Sequence, residues 1–206
     1  MTGHPPLCLD RLAVGDLQPV SLCVAAGEVL CLAGPSGAGK SRLLRAIADL
    51  EPHRGAVTLG ELAQDELPGH AWRRRVMLVP AESQWWAERV GDHFPAGDVR
   101  GLSALGLTPA VLDWPVARLS SGEKQRLALL RALARTPSVL LLDEPTANLD
   151  DVTTRRVEAW LMARLRDGGW PVIWVAHDQV QIARVATRRG RLEDGRLVEE
   201  VPAPCK

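Results

Sequence analysis

Gly34, Pro35, Ser36, Gly37, Ala38, Gly39, Lys40 and Ser41 bring glycines, one lysine and a hydroxyl together in an order that suits a phosphate ligand. Glycines let consecutive backbone N–H groups turn inward and form an anion-binding concavity. The run matches G-x-x-x-x-G-K-[ST] and lies between an apolar stretch and a helical pattern, the setting a phosphate loop requires. The helix that follows adds the partial positive charge of its N-terminus. Lys40 supplies a compact full charge to the β- and γ-phosphates, and the Ser41 hydroxyl suits Mg²⁺.

A second group fits the same chemistry. The apolar run Val139-Leu-Leu-Leu ends in Asp143 and Glu144, followed by Pro145. Ligands of open α/β sheets gather beyond the carboxyl ends of the strands, so both acids should face the phosphate loop. Asp143 is the candidate metal ligand, through water, because Mg²⁺ keeps much of its hydration shell. Glu144 is the candidate for accepting a proton from an attacking water. His177 follows another apolar run, 172–176, at the corresponding place.

The elements that must hold these groups read as alternating strands and helices. Apolar runs at 29–33, 76–79, 139–142 and 171–176 are continuous, as in strands covered on both faces. Helices are expected over 41–50, with Leu43, Leu44, Ile47 and Leu50 facing inward, over 121–134, and over 153–166. Asp194-Gly195 marks a terminal hairpin. The fold class that follows is α/β with a mostly parallel sheet in a single domain. Residues 82–125 depart from this pattern. They are rich in Trp, Gly and Pro, with short helical pieces at 102–107 and 109–112, and read as an inserted helical subdomain.

With 25 basic and 25 acidic residues, the chain has no overall basic field to point to nucleic acid. The start reads as no secretory leader, and no apolar run approaches the length of a membrane span. Cys8, Cys23, Cys31 and Cys205 form no C-x-x-C pair and are expected to be free thiols, with Cys31 in the core. The Arg73-Arg74-Arg75 run reads as solvated charge beside a strand.

Leu119, Ser120, Ser121, Gly122 and Glu123, continuing through Gln125, resemble the signature motif of the ATP-binding cassette family. Physically this is a serine-capped helix N-terminus. Asp150, in Ala147-Asn-Leu-Asp150, resembles the family's D-loop, and His177 its switch histidine. The resemblance covers essentially the whole chain. It implies a P-loop, RecA-like core with an antiparallel β subdomain. It also implies binding and hydrolysis of Mg-ATP, and a dimer of cassettes in which Ser120 reaches the nucleotide held by the opposite subunit. The spanning helices of a transporter would then belong to a separate membrane permease, with this chain in the cytoplasm, peripheral on the inner face of the membrane. A soluble cassette in repair, translation or cofactor assembly, and a degenerate cassette that binds ATP without hydrolysis, stay open as alternatives.

The chain departs from the family pattern in several places. The glutamine that usually follows the strand at 76–79 aligns with Ala81, leaving Glu82 and Gln84 as possible substitutes. No aromatic residue precedes Trp72, so adenine is expected to rest on an aliphatic side chain such as Val14 or Leu17. The insert is shorter than the family's, and its Trp85-Trp86 pair suits either a permease contact or the insert's own small core.

Overall fold

The computed structural model describes residues 4–95 and 99–200. The chain opens with β1 (Leu7–Ala13) and β2 (Val20–Val24), then β3 (Val29–Ala33), the phosphate loop and α1 (Lys40–Ile47). There follow β4 (Arg54–Leu59), β5 (Leu62–Ala63), α2 (Gly69–Arg75) and β6 (Val76–Val79). After the insert come α3 (Ser121–Leu133), β7 (Val139–Asp143), α4 (Asp151–Gly168), β8 (Val172–Val175), α5 (Gln179–Val185), β9 (Arg188–Glu193) and β10 (Arg196–Glu200).

These strands form two sheets. One has six strands in the order β10-β9-β3-β8-β7-β6, parallel throughout except for the β9–β10 hairpin. The other is a four-stranded antiparallel sheet, β2-β1-β4-β5. β3, β6, β8 and the first four residues of β7 are apolar throughout because each face of the sheet meets a different layer. Leu30, Leu32, Leu141 and Ile173 join α1 and the antiparallel sheet, while Cys31, Leu140, Leu142 and Trp174 join α3, α4 and the insert. The expected α/β class holds.

Several boundaries differ from the sequence reading. α1 ends at Ile47, Asp49 turns into the left-handed region, and Leu50 is left 53% exposed instead of buried. α4 begins at Asp151 because Asp150 accepts hydrogen bonds from the Thr153 N–H and hydroxyl and so caps the helix. The arginine run is the last turn of α2, where cations complement the helix dipole. Trp72 of that helix is fully buried and donates its indole N–H to the Ile47 carbonyl.

The cysteine expectation is corrected. β1 and β2 pair in a register that sets Cys8 directly opposite Cys23, and the two form a disulfide. Sequence spacing carried no hint of this, because the pairing comes from strand register. Cys31 is buried and free, and burial pushes its thiol up to about 12. Cys205 lies outside the described residues.

Between Val79 and Ser121 the described residues contain 3₁₀ turns, at Val90–His93, Pro109–Asp113 and Val116–Arg118, and no α-helix. The stretch expected to be helical at 102–107 is a series of turns. Gly101 and Gly106 have positive φ there, and Leu102, Leu105 and Leu107 are buried.

Candidate nucleotide site at the carboxyl edge of the parallel sheet

Strand register assembles the site. Leu32 of β3 and Asp143 of β7 both pair with Val175 of β8, so three strands end at one level. The phosphate loop leaves β3, Glu144 follows β7, and His177 follows β8. The Glu144 N–H donates to the Val175 carbonyl at 3.2 Å, and the Ala176 N–H to the Leu32 carbonyl at 3.3 Å.

Two glycines of the loop are needed for backbone reasons. Gly34 has φ 145°, and a Cβ there would lie 2.2 Å from the Leu192 carbonyl oxygen on β9. Gly39 has φ 97°, and its missing Cβ leaves room for the Leu17 side chain. Lys40 is 6% exposed, and its ammonium donates to the carbonyls of Gly34 and Pro35, both at 2.9 Å. Burial lowers its pKa, opposed by the charges of Glu144 and Asp143. Those two acids therefore lie within electrostatic reach of the loop lysine.

Asp143 is 8% exposed. Burial raises its pKa, a hydrogen bond from the Ser41 hydroxyl opposes that shift, and Glu144 adds to it. Its Oδ1 is buried without a hydrogen-bond partner. A buried carboxylate oxygen lacking a donor, beside a serine hydroxyl, fits a hard divalent cation bound partly through water. Glu144 has φ 48°, unusual for a non-glycine residue, and its Oε1 lies 2.7 Å from the His177 Nε2. An ionised carboxylate accepts there, so Nε2 carries the proton.

An open pocket of about 470 Å³ borders the phosphate loop. Val14 and Leu17 line it, together with Arg42 and the Asp194-Gly195 turn. The sequence reading missed Arg42, which directly follows Ser41. Its guanidinium lies over Gly15, where a Cβ would come within 2.2 Å of Nη1. A second pocket of about 230 Å³ is lined by Glu144, Thr146, His177 and Gln181, among others. Gln181 was also missed, although it lies only four residues after His177, in the first turn of α5.

The signature residues are elsewhere. Ser120 caps α3 in a capping box: its Oγ accepts from the Glu123 N–H at 3.2 Å, and its own N–H donates to Glu123 Oε2 at 2.9 Å. The Ser120 N–H thereby holds the Glu123 carboxyl below its usual range. Leu119 is buried, and Gly122 packs against Asn148 and Leu149, just ahead of Asp150. Neither Ser120 nor Ser121 lines the phosphate-loop pocket. Glu82 and Gln84 are both exposed, and the Gln84 backbone carbonyl accepts from Arg131.

A family model described as ABC transporter matches residues 17–147. The chain is 38% identical over 198 residues to the Fe(3+) ions import ATP-binding protein FbpC of Streptomyces avermitilis, covering 89% of this chain and 57% of that protein. It is 39% identical to an aliphatic sulfonates import ATP-binding protein SsuB of Cupriavidus necator, covering 88% of this chain and 62% of that one. The chain thus spans about three fifths of the length of these relatives. Among solved structures, a bacterial Atm1-family ABC exporter with ATP bound superposes with a TM-score of 0.83 at 26% identity, over 97% of this chain and 39% of the exporter. The matched model, the relatives and the shared fold agree: this chain belongs to the ABC transporter family, as an ATP-binding cassette.

Proposed function

We propose that this chain hydrolyses Mg-ATP within a dimer of cassettes and drives a separate membrane permease. The observation that carries the reading is the 2.7 Å contact between Glu144 and His177 at the same sheet edge as the phosphate loop. Glu144 accepts a proton from the water that attacks the γ-phosphorus, while the bond to the β–γ bridging oxygen breaks. Lys40 and the loop N–H groups hold the β- and γ-phosphates. Ser41 and Asp143 would hold Mg²⁺, which when bound neutralises charge on the phosphate oxygens. His177 orients Glu144 and contacts the γ-phosphate.

The placement of Ser120 supports the dimer. Its helix end lies away from the loop pocket of its own subunit and is free to complete the site of a second copy. Among the described residues no helix is long and apolar enough to cross a membrane. Relatives named as import ATP-binding proteins support placing this chain beside a permease, at the inner face of the membrane. The substrates printed in the names of the relatives belong to those proteins, and the permease would select the cargo here.

The test is Glu144→Gln. Turnover should fall by about 10²- to 10⁴-fold, the range of a lost general base, with Mg-ATP affinity retained. Trapped with Mg-ATP, the variant should elute as a dimer. Equal turnover in variant and wild type would remove Glu144 from the chemistry, and a wild type with no turnover would support a binding-only cassette.

A further inference from the structure

We propose that Gln181 and Thr146 form a positioning pair, anchored by Glu158, that sets Glu144 against His177. The inference rests on the hydrolytic reading above. Glu158 of α4 is 4% exposed, and a carboxylate so far from water is costly unless fully paired. Arg184 of α5 pairs it through two nitrogens, at 2.7 and 2.9 Å. That fork alone would fasten α5 to α4. Gln181 does something further: its Nε2 donates both to Glu158 Oε1 at 2.8 Å and to Thr146 Oγ1 at 2.7 Å. Thr146 belongs to neither helix. It lies two residues after Glu144, in the turn leaving β7, and is itself buried.

Two cross-links therefore join the segment after β7 to the segment after β8. The Glu144–His177 link is partly open to solvent, with side chains 34% and 44% exposed. The Thr146–Gln181 link lies beneath it and is buried. Both span 2.7 Å, and Glu144, Thr146, His177 and Gln181 line one pocket. An exposed contact is easily displaced by water, whereas a buried polar network has few alternative partners and so fixes geometry. Glu144 needs such support, because a non-glycine residue at φ 48° persists only where its surroundings hold it. The Glu158–Arg184 pair keeps the lower link rigid without touching either reacting residue.

The experiment uses the full chain and measures Mg-ATP turnover and thermal unfolding together. Thr146→Val keeps the shape and removes the acceptor; Thr146→Ser keeps the hydroxyl; Gln181→Leu removes the donor and leaves the Arg184 fork in place. Thr146→Val and Gln181→Leu should each lower kcat by about ten- to a hundredfold, as small misplacements of reacting groups do, with KM for Mg-ATP within about twofold. Thr146→Ser should restore wild-type kcat. The double variant should fall no further than either single one, because both break the same link. If Gln181→Leu fails to fold, the Val and Ser variants at 146 decide alone. Unchanged kcat in Thr146→Val, with only the melting temperature lowered, would reduce the network to helix packing and overturn the proposal. A wild type without turnover would overturn the hydrolytic reading and this inference with it, so the two failures are distinguishable.

Discussion

The carboxyl edge of the parallel sheet and the segment between Val79 and Ser121 place their side chains by opposite means. At the sheet edge, backbone register does the work. Leu32, Val175 and Asp143 are aligned by parallel pairing, Glu144 is the first residue beyond β7, and His177 is the second beyond β8. In the insert, side chains hold the backbone. His93 is 1% exposed, and its Nε2 accepts from the N–H groups of Trp86 and Ala87, at 2.9 and 3.0 Å. Its Nδ1 then carries the proton and faces the Arg89 and Val90 carbonyls. The Arg131 guanidinium lies 4.6 Å from the Trp85 ring centre and 4.9 Å from that of Trp86. Burial lowers the Arg131 pKa to about 10. A site built on register tolerates changes in its side chains without losing the fold, whereas a lobe built on one buried imidazole does not.

That contrast predicts where substitutions act. Lys40→Ala should weaken Mg-ATP binding by roughly ten- to a hundredfold, the loss of charge-assisted bonds to phosphate, and leave circular dichroism unchanged. His93→Ala should do the reverse. Two buried N–H groups lose their acceptor and a cavity opens, costing about 2–4 kcal/mol of stability by urea titration with nucleotide affinity preserved. A fully stable His93→Ala protein would break the comparison.

Asp143→Asn sharpens it from the side of the active edge. A carboxyl with a raised folded-state pKa favours the native state most below its unfolded value, and that contribution is lost as pH rises through the folded value. Above the raised value the buried charge works against the fold. Removing it should therefore increase the melting temperature of nucleotide-free protein at neutral pH, with the gain vanishing toward pH 3, while turnover is lost. The smallest effect is expected from Trp86→Ala. Trp86 is 67% exposed, so stability should change by less than about 0.5 kcal/mol. Sedimentation with membranes carrying the permease should be reduced, and equal sedimentation would assign Trp86 to the insert alone.

The phosphate loop, Asp143-Glu144 and His177 were legible because phosphate chemistry restricts both residue type and its place after a strand. The Asp194-Gly195 hairpin was legible for a similar reason, since both of its turn residues have positive φ. β1 and β2 gave no clear pattern: Asp10, Arg11 and Ser21 interrupt them, and they take shape by pairing with each other and with β4. The Cys8–Cys23 bond followed from that pairing and was hidden with it. Gln181 and Glu158 escaped for a related reason. Each looks like an ordinary polar helix residue until α4 and α5 are packed together, and no local pattern encodes that meeting.

The pocket beside the phosphate loop draws its walls from remote parts of the polypeptide. The Gln18 N–H donates to the Gly195 carbonyl at 2.8 Å, and Arg196 donates to the Gln18 side chain, so the loop after β1 and the last hairpin close over the phosphate loop together. Contacts of such sequence separation form late and slowly. A nascent chain emerging N-terminus first would expose the phosphate-loop residues long before β8 and β9, which flank β3, and the last hairpin had been made. Mg-ATP should accordingly act as a ligand of the completed chain alone, shifting the last folding step by mass action and lending little to any shorter intermediate.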